Sequence, residues 1–376
     1  MKKHLGLTRK LALFVTLTAV VLAGCGQGAQ NEPNNGAGAA SAGPAGGDWE
    51  KTVEAAKKEG KLVLSGPPSE LWRNALSEFE KDYPQIKLEY NPGNSRDFWP
   101  KVQQEQRLNQ FLWDVRIGGP DVMAFGMKEK GGIVPIRPLL VLPDVVDESK
   151  WIGGFDRLFA DNDNQYLPAF TAFAQNITDV NREVVSEAEI NSEKQLIDPK
   201  WKGKMAMQDP RAGAGLVGLG AMVKAYGEDY VRTLLSNVVI TKDNRQQIEW
   251  LIRGQYPISV GTDSTMLLGF QQQGLGKNIS EMKEGTKLVT NGFGGIQYLK
   301  NAPHPNASKL FINWLLTKET QEKIMQIVKL NSLRNDVKLG DPERAVDPKE
   351  TYYWGQHEEL QPSQKIASKL VNELVK

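Results

Sequence analysis

The chain has 376 residues, 40% of them apolar and 24% charged, with 46 basic and 45 acidic side chains and a net charge of +1. That length buries one large core or two ordinary ones, and 36 glycines with 20 prolines give a loop-rich chain short of collagen or disordered composition. The balanced charge excludes the broad basic face that nucleic-acid binders exchange for condensed counterions, so no nucleic-acid partner is expected.

Lys2, Lys3, Arg9 and Lys10 precede an uncharged apolar stretch over residues 11–24, the layout of an export signal and too short for a comfortable permanent span. Loss of these four cations, with no acidic residue among them, lowers the net charge from +1 to −3. Cys25 is the single cysteine, which excludes an internal disulfide and a thiolate metal cluster. The run Leu22-Ala23-Gly24-Cys25 resembles the lipobox of bacterial lipoproteins. That resemblance implies removal of residues 1–24, diacylation of Cys25, and a module anchored on the outer face of the cell membrane or in a periplasm. Residues 25–47 are mostly Gly, Ala, Asn, Ser and Pro, too poor in large apolar side chains to repay ordering, and read as a flexible tether.

Beyond the tether, Asp48 caps a predicted helix that Gly60 stops, and residues 61–64 read as a strand. Leu71, Trp72, Ala75, Leu76 and Phe79 share one helical face, and Ile86, Leu88 and Tyr90 alternate as the next strand. This βαβ pattern predicts a parallel sheet whose ligand edge lies at the strand C-termini, near residues 65–68 and 91–96. A helix over about 98–109 leads to a third short strand ending in Ile117-Gly118-Gly119-Pro120-Asp121. The middle of the chain repeats the grammar, with strands at 205–208, 238–241 and 258–260 and helices between them. The pattern predicts an α/β protein of two lobes, each a mostly parallel sheet flanked by helices. Extended stretches at 166–178 and 290–299 are the expected crossings, and a helix begun by Pro305 runs to 316.

Few motifs point to catalysis. Gly213-Ala-Gly215-Leu-Val-Gly218 matches a dinucleotide fingerprint in form, but the acidic partner is not at the spacing of about 20 residues, Glu228 and Asp229 coming too early and in a turn between helices. A helix N-terminus that receives a small anionic or polar ligand is favoured instead. His304 and His357 have no His or Cys at metal-ligand spacing, and Asp161-Asn-Asp163-Asn lacks the Gly and Glu of a calcium loop. No nucleophile elbow or phosphate-binding Walker string occurs, so neither enzyme activity nor a cofactor is expected. Gly261-Thr262-Asp263-Ser264-Thr265 follows a strand where an open α/β sheet binds ligands, and it reads equally as a helix cap.

The run Asp198-Pro-Lys-Trp201-Lys-Gly203-Lys-Met-Ala-Met-Gln-Asp209-Pro210-Arg211 resembles the class 1 extracellular solute-binding proteins of ABC importers, particularly their ferric-iron branch. So do Ala55-Ala-Lys-Lys-Glu59-Gly60, Phe79-Glu-Lys-Asp-Tyr83-Pro84 and Asn301-Ala-Pro303-His-Pro305-Asn306. The resemblance implies a type II periplasmic-binding-protein-like fold: lobe 1 over 48–170, lobe 2 over 171–290, and a return crossing with C-terminal helices over 291–376, mainly in lobe 1. It also implies a monomer that closes on a small-molecule solute and delivers it to permease and ATPase subunits. Iron-binding members carry adjacent tyrosines after the strand matching 257–260, where this chain has Thr262, Asp263 and Ser264. A polar, anion-bearing solute is therefore expected ahead of iron or an iron chelate, with an exported hydrolase or a ligand sensor as the rivals of another class. The expected contacts are Ser65, Asn94, Ser95, Arg96 and Asp121 from lobe 1, Thr171 in the first crossing, and Arg211, Gly213, Gly215, Thr262 and Asp263 from lobe 2.

Overall fold

The computed structural model describes residues 47–211 and 215–375. The strands run in chain order as β1 Lys61–Gly66, β2 Lys87–Pro92, β3 Val115–Ile117, β4 Phe173–Asn176, β5 Thr178–Asn181, β6 Met205–Gln208, β7 Val238–Thr241, β8 Ile258–Val260, β9 Ile279–Glu281, β10 Lys287–Thr290, β11 Ile296–Tyr298 and β12 Tyr353–Trp354. They form three sheets, ordered β11-β3-β1-β2, β12-β10-β4 and β7-β6-β8-β5-β9.

In the first sheet β1 pairs parallel with β2 and β3, and β11 joins β3 antiparallel. Leu62, Val63 and Leu64 are all buried, the continuous apolar run of a strand covered on both faces. One core gathers Leu62, Leu64, Val115 and Ile117 with Phe79, Phe311 and Trp314, and the Phe79 and Phe311 rings meet edge-on at 5.2 Å. The expected helix over 71–79 divides into Glu70–Leu76 and Glu78–Asp82. Ser77 breaks it, its hydroxyl donating to the Asn74 carbonyl and competing with the helical ladder.

A second core gathers Val180, Met205, Met207, Ile258 and Val260 with Leu219, Met222 and Leu234. β6 lies parallel between β7 and β8, and β5 and β9 add antiparallel strands. The two cores share no residue, and the crossings join them through β4 and β10, which pair antiparallel. Period-two alternation divides β10 itself: Leu288 enters the second core and Val289 the first.

Most of residues 291–376 packs in the first core, and the last helix lies on the second. Helices Pro305–Leu316 and Lys318–Val328 pack in the first core, whereas Gln361–Leu374 lies along Gly215–Tyr226 and Glu228–Asn237. Its stripe of Ala367, Leu370 and Val371 finds its apolar cover on the second lobe.

Candidate functional site

The C-terminal ends of β1 and β3 bring Ser65 and Arg116 opposite one another in register, and β2 leads directly into helix Ser95–Arg107. Arg116 is 3% exposed and stacks over the Phe98 and Trp99 rings at 4.5 and 5.7 Å. It donates to Ser65 Oγ at 2.7 Å, to the Gly93 carbonyl at 3.3 Å and to Ser95 Oγ at 3.3 Å, while its buried Nε meets no acceptor. No carboxylate among the described residues pairs with it. Burial lowers its pKa to about 10, with Asp121 and Tyr90 pulling the other way, so the guanidinium is charged at neutral pH.

This arrangement has a directional consequence. Because the hydroxyls of Ser65 and Ser95 accept from Arg116, their own protons are left free to donate. Asn94 caps the helix through Asp97 N–H, leaving the Ser95 and Arg96 amides at its positive end. Ser95 is half-buried, and Asn94 and Arg96 are exposed beside it. The rim thus presents donors over a buried cation that no carboxylate touches, an arrangement suited to an oxyanion. Ser65, Asn94, Ser95 and Arg96 come together as expected from their positions, but Arg116 is the group that unites them. Its signal was a cation at a core position of a three-residue strand, between Val115 and Ile117.

Asp121 caps helix Val122–Glu129 by accepting from Met123 and Ala124 N–H, and its charge reaches Arg116. Thr171 is fully buried and donates to the Asn291 carbonyl at 2.5 Å, while Asn291 Nδ2 returns a bond to the Thr171 carbonyl at 2.9 Å. That hydroxyl fastens the two crossings together and does not face a cleft.

In the second lobe Arg211 folds back on Asp209, with Nε at 2.9 Å from Oδ1 and the outer nitrogen at 2.5 Å from Oδ2. The Asp209 carboxyl is held low by this partner, and the guanidinium is engaged within its own turn. Gly213 lies outside the described residues. Gly215 opens helix Gly215–Tyr226, where a Cβ would stand 3.0 Å from Pro210 Cα, so the turn requires glycine. Gly261 has φ +71°, and a Cβ there would lie 3.8 Å from Gly215 Cα, which places the two loops side by side. Asp263 caps helix Ser264–Gln272 through Met266 N–H.

Beneath this second rim, Asp179 on β5 stands opposite Ser259 on β8. Burial pushes its carboxyl up to about 7; a hydrogen bond from Thr262 opposes the shift and the Glu281 charge reinforces it. A raised carboxyl binds a proton in the fold that it lacks when unfolded, so its stabilising contribution is complete below about pH 4 and is lost as pH rises through about 7. Asp179→Asn is expected to match the wild type near pH 4 and to exceed it above pH 7, gaining about 1.4 kcal/mol per pH unit across that window. Denaturant titrations at several pH values measure this, and parallel stability curves would refute it.

Among the described residues no three His, Cys, Asp or Glu side chains are grouped to hold a metal ion, and no helix is long and apolar enough to cross a membrane. Residues 172–326 match the family described as bacterial extracellular solute-binding protein. The chain is also 33% identical over 135 residues to an uncharacterized protein of Haemophilus influenzae, an alignment spanning 34% of this chain and 38% of that relative.

Its fold is that of the two-lobed periplasmic binding proteins. Iron-bound HitA from Pseudomonas aeruginosa superposes with a TM-score of 0.58 at 18% identity, covering 82% of this chain and 99% of that one. FutA2 from Synechocystis PCC6803, in its apo form, gives 0.64 at 17% identity over 84% and 99% of the two chains. The open ferric iron-binding protein A of Mannheimia haemolytica gives 0.63 at 16%, over 84% and 98%.

Proposed function

We propose that this solute-binding chain is the exported, lipid-anchored binding component of an ABC importer, not an enzyme, and that it captures a small polar solute through an anionic group. One observation carries the reading: Arg116, 3% exposed, has no carboxylate partner and underlies a rim of free donors at residues 94–96. A buried cation without a counter-ion is costly in a folded protein, and an arriving oxyanion offsets that cost. Amide N–H groups only donate, and neutral serine hydroxyls already facing a buried guanidinium are poor ligands for a trivalent cation, which favours an anion over ferric iron at this rim. The second lobe contributes the paired helix starts after Gly215 and Asp263. A solute that touches both rims only when they approach shifts the population toward closure by its differential affinity. Delivery to permease and ATPase subunits, with anchoring through Cys25 outside the described residues, completes the proposed role of a monomeric carrier without a cofactor.

A thermal-shift screen of the exported chain tests this with phosphonates, organophosphates, thiamine, polyamines and ferric chelates. A true solute at about 100 times its Kd adds about 2.7 kcal/mol of stability. Stabilisation by an organic anion is the expected outcome. Stabilisation by ferric iron alone, or turnover of any compound, would contradict the reading.

A further inference from the structure

Behind the anion rim lies a cavity of about 210 Å³ between the lobes. Val122 and Phe125 line it from helix Val122–Glu129 of lobe 1, and Leu216 and Val217 from the first turn of helix Gly215–Tyr226 of lobe 2. The C-terminal segment closes it with His357 and Gln361. Two buried nitrogens on these lining residues, His357 Nε2 and Gln361 Nε2, have no hydrogen-bond partner. Such orphaned groups are rare in a settled core and mark a place that a further polar atom completes. Gly118 packs against Arg116, where a Cβ would stand 3.1 Å from Nε, and two residues on Pro120 and then Asp121 line the cavity, so cavity and anion rim adjoin.

We propose that this cavity receives the uncharged organic body of the solute whose anionic group sits at residues 94–96. The inference rests on the proposed function and narrows it: the solute is an organic oxyanion, with an apolar or ring-shaped body bearing a polar atom, and not an inorganic anion. Val122, Phe125, Leu216 and Val217 offer apolar contact to that body, and His357 and Gln361 offer it a hydrogen-bond partner. A body lodged there touches both lobes at once, so its burial favours the closed form.

Isothermal titration of the full chain with methylphosphonate and phenylphosphonate tests the inference, since the two share a head group and differ in the body. The wild type is expected to bind phenylphosphonate about tenfold or more tightly than methylphosphonate. Val122→Trp, at a position 59% exposed and tolerant of bulk, is expected to abolish that preference while leaving methylphosphonate binding unchanged. Val217→Phe fills the same cavity from the other lobe and is expected to abolish the preference as well. Equal binding of the two compounds by the wild type, or a preference that survives both substitutions, would overturn the cavity's role while the anion rim stands. Binding of neither compound would overturn the oxyanion reading and the inference with it.

Discussion

Arg116→Met is expected to weaken binding of the anionic solute about a hundredfold, near 3 kcal/mol, while leaving the folded protein at least as stable as the wild type. The two effects separate because the guanidinium serves the ligand more than the fold. It lies 3% exposed with no carboxylate in contact and with an unpaired Nε, so an apolar replacement of similar length removes a costly buried charge. Its loss also turns the rim around: Ser65 and Ser95 no longer receive a donor from below, and each is free to direct its proton inward to the Gly93 carbonyl or elsewhere. Arg116→Lys keeps the charge but reaches fewer of the three acceptors, and an intermediate affinity is expected. Titration calorimetry together with urea denaturation reads both quantities. Unchanged affinity in Arg116→Met would remove the anion rim from the binding site.

The largest effect on stability is expected at Glu193, in the second lobe and remote from the proposed ligand. Its fully buried carboxylate accepts from Thr178 Oγ1 at 2.7 Å, from Thr286 N and Oγ1 at 2.7 and 2.6 Å, and from Tyr226 at 3.2 Å. Tyr230 donates to its carbonyl. The donors to the carboxyl come from β5, from the approach to β10 and from helix Gly215–Tyr226, so one side chain fastens the frame of the lobe. Burial pushes the Glu193 carboxyl up despite its hydrogen bonds. Glu193→Ala leaves four donors without an acceptor and opens a cavity, and is expected to cost about 3–5 kcal/mol. A shift of the denaturation midpoint worth less than about 1 kcal/mol would show that the cluster relaxes or admits water.

Much of the scaffold was legible because its signals are local. Strands 205–208, 238–241 and 258–260 and the helix begun by Pro305 stand where apolar periodicity and caps place them. The break at Ser77 escaped because a hydroxyl's competition for one carbonyl leaves no periodic trace. The site divides in the same way. Ser65, Asn94, Ser95 and Arg96 follow strands in a predicted parallel sheet, and topology alone puts them on one edge. Arg116 was passed over because a three-residue strand shows no alternation, and the partners that give it meaning, Ser65 and Gly93, lie 51 and 23 residues away. Arg211 looked like a ligand group by its chemistry, yet Asp209 two residues earlier offers a closer partner. Thr171 lies in the crossing, as its position suggests, but its bond to Asn291 spans 120 residues and belongs to tertiary structure.

Small-angle scattering of the full chain, with and without the organic anion that the stability screen returns, is the most direct test of closure on a solute. A radius of gyration that falls on saturation, and does not fall in Arg116→Met at the same solute concentration, is the predicted result. A dimension unchanged while calorimetry shows the wild type fully occupied would contradict the account.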